Sequence, residues 1–113
     1  MASEKNNPLG NTDMLLLKLL SIKDMYGYQI IEELANRSDN IFELKAGTLY
    51  PLLHLLENKM YVESYDMAAP SGKKRKYYRI TDTGLKFLTE KEKEWELYTA
   101  AVNGVLKGAV SNG

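Results

Sequence analysis

The chain has 113 residues, 44% of them hydrophobic, and its 15 basic and 15 acidic side chains give a formal net charge of zero. This size predicts one compact domain with a modest core. The absence of cysteine excludes disulfides and thiolate metal sites, and the single histidine leaves no metal-ligand cluster, so no metal or cofactor is expected. The apolar run from Met14 to Leu20 is too short to span a membrane, and a cytoplasmic location is expected.

The sequence of the N-terminal part predicts a flexible arm followed by a helix. Residues 1–8 are mostly polar and end in a proline, which is typical of a loose terminus, so an arm is expected over residues 1–10. A first helix is expected from Asn11 or Thr12 to about Ile22, and it is apolar on most sides. A helix that is apolar nearly all round is buried from more than one direction, which in so small a chain suggests a second subunit.

Two further helices are predicted in the next part of the chain. One opens at Tyr26 and carries apolar residues at helical spacing as far as Ala35. The next starts near Gly47 or Thr48, with Pro51 in its first turn, where a missing amide hydrogen is least harmful. Its buried stripe is expected to consist of long apolar side chains: Leu49, Leu52, Leu53, Leu56 and Met60.

After Lys59 the apolar period changes to two, which predicts strands over residues 61–67 and 74–80 around a turn at 68–72. Residues 61–81 carry five basic and two acidic side chains, whereas the other 92 residues carry ten basic and thirteen acidic ones. A neutral total therefore conceals a local positive cluster that suits a polyanion. The alternative is a solvated turn whose charges keep an edge strand from aggregating.

A fourth helix is predicted from residue 82 to about 107, followed by a frayed tail at 108–113. Spacings of three and four residues along one of its sides indicate a coiled-coil-like seam. The seam contains Leu85, Leu88, Glu92, Trp95, Thr99, Val102 and Leu106. Little core remains for its apolar members, so we expect them to form a dimer interface with the same helix or with the first helix of a second subunit, including Leu15.

Three helices, a hairpin and a long helix are the order of a winged helix-turn-helix domain, a mainly α fold with a small β-hairpin. Three motifs carry a resemblance to a known family: Tyr26-Gly27-Tyr28-Gln29-Ile30, Gly47-Thr48-Leu49-Tyr50-Pro51-Leu52-Leu53 with Leu56-Glu57, and Lys74-Arg75-Lys76-Tyr77-Tyr78-Arg79-Ile80-Thr81 with Gly84. In this order they resemble the PadR family of bacterial transcriptional regulators, over about residues 12–88, and its smaller branch with a single C-terminal dimerisation helix. Leu55 departs from the family pattern, which usually has a basic residue there. Met60 departs from it too, where glycine is common, and suggests a different chain path into the hairpin.

The resemblance implies a winged domain at residues 11–81 and a dimerisation helix at 82–107. It also implies a homodimeric, nucleoid-associated repressor that binds a palindromic operator in double-stranded DNA. The hairpin is the wing of such a domain. DNA contacts are expected from the second helix, the third helix and the tip of the wing: Tyr28, Lys45, Thr48, Tyr50, Pro51, His54, Lys73, Lys74, Arg75 and Lys76. Tyr50 could instead pack at the edge of the core, and Tyr28 could make a structural hydrogen bond.

Trp95, the single tryptophan, admits two interpretations. Aromatic side chains commonly anchor interfaces, which would make it a packing residue of the dimer. The resemblance implies instead a cavity at the dimer interface in which a flat aromatic effector lies against Trp95 and releases the DNA. Its other ligand-binding residues would be Met14, Lys18, Glu92 and Thr99. Glu92 would favour a cationic ligand and Lys18 an anionic one, which leaves the charge of the effector open.

Two other classes of function compete with a regulator. A winged-helix protein-interaction module could use the basic wing to contact an acidic partner in place of DNA. An enzyme has the least support, because the sequence offers no nucleophile–base pair, no paired carboxylates in a cleft and no glycine-rich phosphate loop after a strand.

Overall fold

Helix α1 (Thr12–Ile22) lies at the centre of the fold. The computed structural model describes residues 11–111, and the side chains of residues 11–108, so the predicted arm at 1–10 lies outside the described residues. Five of the seven apolar side chains of α1 are buried: Met14, Leu16, Leu17, Leu19 and Leu20. They are covered by helix α2 (Gly27–Arg37), strand β3 (Lys74–Ile80) and helix α4 (Asp82–Ser111) of the same chain. The apolar sequence of α1 is thus explained within one chain and gives no argument for a second subunit.

Helices α2 and α3 (Ala46–Asn58) form the helix-turn-helix pair. The core receives Ile30 and Leu34 from α2, and Leu49, Leu53 and Leu56 from α3. Because α3 already begins at Ala46, Pro51 lies in its second turn, and the prediction that placed it in the first turn was wrong. Proline has no N–H, so the Gly47 carbonyl has no helical hydrogen-bond donor at this point.

Strands β1 (Met25–Tyr26) and β2 (Val62–Ala68) lie on either side of β3, and the three form an antiparallel sheet in the order β1–β3–β2. Strand β2 pairs with β3 over seven residues, from Val62 opposite Ile80 to Ala68 opposite Lys74, and this confirms the predicted hairpin. Strand β1 adds two pairs on the other side of β3. Two residues are too few to display the alternation of a strand, which is why the sequence pattern indicates only a break between helices at this point.

Thr81 joins the end of α3, the start of β2 and the start of α4. Its hydroxyl donates to the Met60 carbonyl at 2.6 Å and accepts from the Gly84 amide at 3.0 Å, so Thr81 caps the N-terminus of α4. Its own amide donates to the Tyr61 carbonyl at 3.0 Å. A Cβ atom at Gly84 would overlap that same Tyr61 carbonyl, so the close approach of α4 to β2 requires glycine.

Helix α4 has two halves with different surroundings. In its first turns Leu88 is only 3% exposed, and the Phe87 ring stacks on Tyr61 with a centroid separation of 4.4 Å. The prediction that Leu88 belongs to a dimer seam was wrong, because it fills the core of its own chain. Beyond Glu92 the apolar side chains are exposed: Trp95, Leu97, Tyr98, Val102, Val105 and Leu106. The helix continues to Ser111, so residues 108–111 are helical where a frayed tail was expected.

The length of α4 does not make it a membrane helix. Among residues 11–111, the structure contains no helix whose length and hydropathy would suffice to cross a membrane.

Met60 departs most clearly from the sequence interpretation. It was expected in the buried stripe of α3, but it is 69% exposed and has a positive φ of 66°. Its amide donates to the Glu57 carbonyl and the Tyr61 amide donates to the Leu56 carbonyl, both at 2.9 Å, which is a Schellman termination of α3. Met60 therefore follows the left-handed path that glycine ordinarily takes, and not a different path.

The variant Met60→Gly should raise the free energy of unfolding by about 1 kcal/mol, because it relieves the left-handed conformation and removes little buried surface. Urea denaturation measures the change. Lys59→Gly is the matched control. Lys59 has an ordinary φ of −83°, so glycine relieves no strain there and this variant should be less stable than the wild type. Equal losses in both variants would contradict the assignment of strain to Met60.

Candidate nucleic-acid interface

The exposed side of α3 brings together most of the predicted third-helix residues. Thr48, Pro51 and His54 are exposed there, and Lys45 is exposed at the residue that precedes the helix. Tyr50 is 40% exposed, and a Cβ atom at Gly27 would overlap its hydroxyl. The Tyr50 ring therefore packs against the first turn of α2. The end of its side chain is packed at the edge of the core, as one of the two interpretations expected, while the residue as a whole stays partly exposed.

Tyr28 lies beside this contact, in the first turn of α2, and its side chain is exposed. Gln29, the next residue, accepts a hydrogen bond from the Tyr26 amide at 3.2 Å and thereby fixes the start of the helix. Tyr28 and Tyr50 are thus both exposed next to Gly27, Tyr28 as its neighbour in the chain and Tyr50 by packing against it.

The wing tip carries the positive charge. Lys73, Lys74 and Lys76 are exposed, and no acidic side chain within residues 11–111 lies at ion-pair distance from them. The turn is closed by a 2.6 Å hydrogen bond from the Ala69 amide to the Lys73 carbonyl, and Gly72 provides the positive φ of 90°. Three ammonium groups are therefore presented to solvent at the end of a well-paired hairpin.

Arg75 differs from the lysines around it. It is half-buried, and its guanidinium carbon lies 4.4 Å from the centroid of the Tyr26 ring. This cation–π contact holds the side chain against strand β1 and limits the positions that its charge can reach.

Three tyrosines form a row across the outer face of the sheet. Tyr26 and Tyr65 are both the register partners of Tyr77, one on each side of it. Their rings contact the Tyr77 ring with centroid separations of 5.4 Å and 5.7 Å. Such cross-strand aromatic pairs stabilise a sheet, and here they join all three strands.

A polar cluster lies at one end of this row. The Tyr65 hydroxyl donates to Asp24 at 2.6 Å, and the Arg79 guanidinium pairs with Glu63 at 3.0 Å and with Asp24 at 3.8 Å. The hydrogen bond to Asp24 raises the pKa of Tyr65, and the one to Glu63 raises the pKa of Arg79. Arg79 is thus compensated by carboxylates, which leaves Lys73–Lys76 as the basic group of the wing.

A groove of about 130 Å³ opens between α1 and the middle of α4. Its lining residues are Met14, Leu15, Lys18, Glu92, Trp95 and Glu96. Four of the five predicted ligand-binding residues are among them. Thr99, the fifth, is not; its hydroxyl is buried one turn further along α4 and has no hydrogen-bond partner among the described residues.

Two of the charged side chains in the groove form an ion pair that residue spacing did not predict. Lys18 forms an ion pair with Glu92 at 3.1 Å, so the two charges that would select opposite ligands compensate each other. Glu96, which was not predicted, remains as an unpaired carboxylate on the rim among the described residues. It follows Glu92 by one helical turn, and that i, i+4 spacing was the available signal.

Within residues 11–111, no three histidine, aspartate or glutamate side chains come together as a group that could hold a metal ion.

The architecture and sequence agree with one family. Residues 16–90 match the sequence model of the transcriptional regulator PadR-like family. The chain belongs to this family. An uncharacterized protein of Lysinibacillus sphaericus is 45% identical over 86 residues, which cover 76% of this chain and 79% of that protein.

Solved structures of PadR regulators share the fold. A PadR-like transcriptional regulator from Bacillus cereus superposes with a TM-score of 0.76 at 32% identity, covering 86% of this chain and 92% of that one. A PadR family transcription regulator from Clostridium difficile gives a TM-score of 0.74 at 38% identity, covering 86% and 99%. The chain therefore has the winged-helix PadR fold and is a DNA-binding transcriptional regulator.

Proposed function

We propose that this PadR-like chain is a homodimeric repressor that binds a palindromic operator and is released from it by a flat aromatic effector. The observation that carries the DNA-binding part is the placement of three lysines, without acidic partners among the described residues, at the tip of a hairpin whose first strand packs against α3. In a winged helix, α3 enters the major groove while the wing follows the neighbouring backbone. Each phosphate that a lysine neutralises releases counterions, so the affinity should fall steeply with salt.

Replacing Lys73, Lys74 and Lys76 by alanine should weaken binding to every duplex. It should also reduce the slope of log affinity against log salt by about 0.9 for each phosphate that the variant no longer neutralises. Fluorescence anisotropy on the DNA upstream of its own gene, and on a scrambled duplex, measures both effects across a salt series. The control is Lys86→Ala combined with Lys93→Ala. These two exposed lysines lie on α4, outside both the wing and α3, so their removal should leave the salt slope unchanged.

An unchanged salt slope in the wing variant would exclude the wing from the DNA interface. Equal, weak binding of the wild-type protein to both duplexes would instead favour the protein-interaction module.

The dimer part of the proposal depends on the second half of α4. Val102 and Leu106 are exposed and follow Trp95 and Thr99 at seam spacing, whereas the core of the chain is already closed by Leu88. Apolar side chains on one face of an otherwise uncovered helix are buried most simply by the same helix of a second copy. A two-fold dimer also presents two α3 helices to two half-sites.

Val102→Glu should convert a dimer into a monomer of 12.8 kDa, because it places two carboxylates in the apolar seam. Sedimentation equilibrium measures the mass. Leu97→Glu is the matched control, since Leu97 is an exposed leucine on the opposite face of α4. Dissociation by Leu97→Glu alone would place the interface on the other face of the helix.

The effector part of the proposal depends on the groove between α1 and α4. Trp95 is 45% exposed there and offers an aromatic face, while Met14 and Leu15 supply apolar walls. Because Lys18 and Glu92 compensate each other, the remaining charge comes from Glu96, which favours a flat cation. Helix α1 leads from this groove through Asp24 into the sheet that carries the wing, and this continuity provides a route by which a ligand could move the wing.

Flat cationic dyes should quench the emission of Trp95 in a saturable way and lower the affinity for the operator, because stacking changes the environment of the only tryptophan. A fluorescence titration with dyes of matched size and different charge measures the preference. Glu96→Gln should reduce the preference for cations, whereas Glu94→Gln, outside the groove, should leave it unchanged. Emission that stays constant with every dye would make Trp95 a packing residue only.

A further inference from the structure

The exposed side of α3 contains a stripe without charge. Thr48, Pro51 and Leu55 are spaced by three and four residues, which places them on one face, and all three are exposed. Leu55 is 48% exposed, while Leu49, Leu53 and Leu56 fill the core on the other side of the helix. The Leu55 side chain therefore does not belong to the core, and the stripe faces outward as a small apolar surface.

The composition of α3 limits what this surface can recognise. Residues 46–58 contain no arginine or lysine, so α3 lacks the side chains that make bidentate contacts to guanine. Its one carboxylate, Glu57, accepts a hydrogen bond from the Ser64 hydroxyl at 2.7 Å and is directed towards β2. The lysines adjoining α3 precede and follow it, at Lys45 and Lys59, where they suit phosphates.

Apolar groups recognise one feature of the major groove, the C5-methyl group of thymine. We propose that Leu55, together with Pro51 and the methyl group of Thr48, reads thymine methyl groups, so that A·T pairs occupy the positions of each half-site that face this stripe. Leu55 is the specificity-determining residue of this set. The inference rests on the proposed function, because it requires α3 to enter the major groove.

The test removes single methyl groups from the DNA. The full chain first selects a duplex from a random pool, and each thymine of that duplex is then replaced in turn by deoxyuridine, which keeps every hydrogen-bonding group and lacks only the methyl. At one or two positions of each half-site the affinity should fall about fourfold, as expected for the loss of one buried methyl group. Anisotropy titrations at fixed salt measure the loss.

Leu55→Ala completes a double-mutant cycle. This variant should bind the thymine duplex more weakly than the wild type and should show no further loss at the deoxyuridine position that Leu55 contacts. Leu97→Ala is the matched control, an exposed leucine on α4 whose replacement should leave the deoxyuridine effects unchanged. Because Leu55 lies outside the core, circular dichroism should give the same helix content for Leu55→Ala as for the wild type.

The outcomes separate this inference from the proposed function. Tight, salt-dependent binding that changes less than twofold at every deoxyuridine would overturn thymine reading and leave the regulator intact. Equal sensitivity of Leu55→Ala and the wild type at every position would remove Leu55 from the site. A pool from which no duplex is enriched would overturn both.

Discussion

The arrangement of this molecule depends on one crossing, where the first turn of α4 meets the start of β2. Gly84 lies so close to the Tyr61 carbonyl that no side chain fits, and the Thr81 hydroxyl bridges the Met60 carbonyl and the Gly84 amide. Helix α3 ends here, the wing begins here, and helix α4 starts here. The angle between the proposed DNA-facing surface and α4 is therefore set by hydrogen bonds between two short segments, residues 60–61 and 81–84.

Helix α1 connects the two surfaces of the proposed regulator. Its first turns line the groove with Met14, Leu15 and Lys18, while the residues that follow it enter the sheet through β1. Since most apolar side chains of α1 are buried, it should move only together with the elements packed on it. A ligand that displaces α1 would thus act on the sheet directly, with no need for a flexible linker.

Periodicity alone predicted the four helices and the hairpin, because long segments with one buried face leave a clear pattern. It failed where an assignment depended on three-dimensional neighbours. Leu88 has the spacing of a seam residue, but its position near the start of α4 brings it against the core. The Lys18–Glu92 pair joins residues far apart in the chain, and the two-residue strand β1 exists only because β3 lies beside it. The positive charge of the wing, in contrast, could be predicted without knowledge of three-dimensional neighbours, because a run of like charges after a turn is visible in the sequence itself.

The row of tyrosines on the outer face of the sheet has a mechanical consequence. If β2 slipped by one residue against β3, Tyr65 would turn towards the core and Val62 towards solvent, and the stacking on Tyr77 and the bond to Asp24 would both be broken. Small slips are thus strongly opposed, and the hairpin cannot lengthen or shorten by sliding. The backbone of the wing should therefore move as one body with the sheet, so that in the proposed complex the position of the wing tip relative to the DNA would change when the whole sheet rotates.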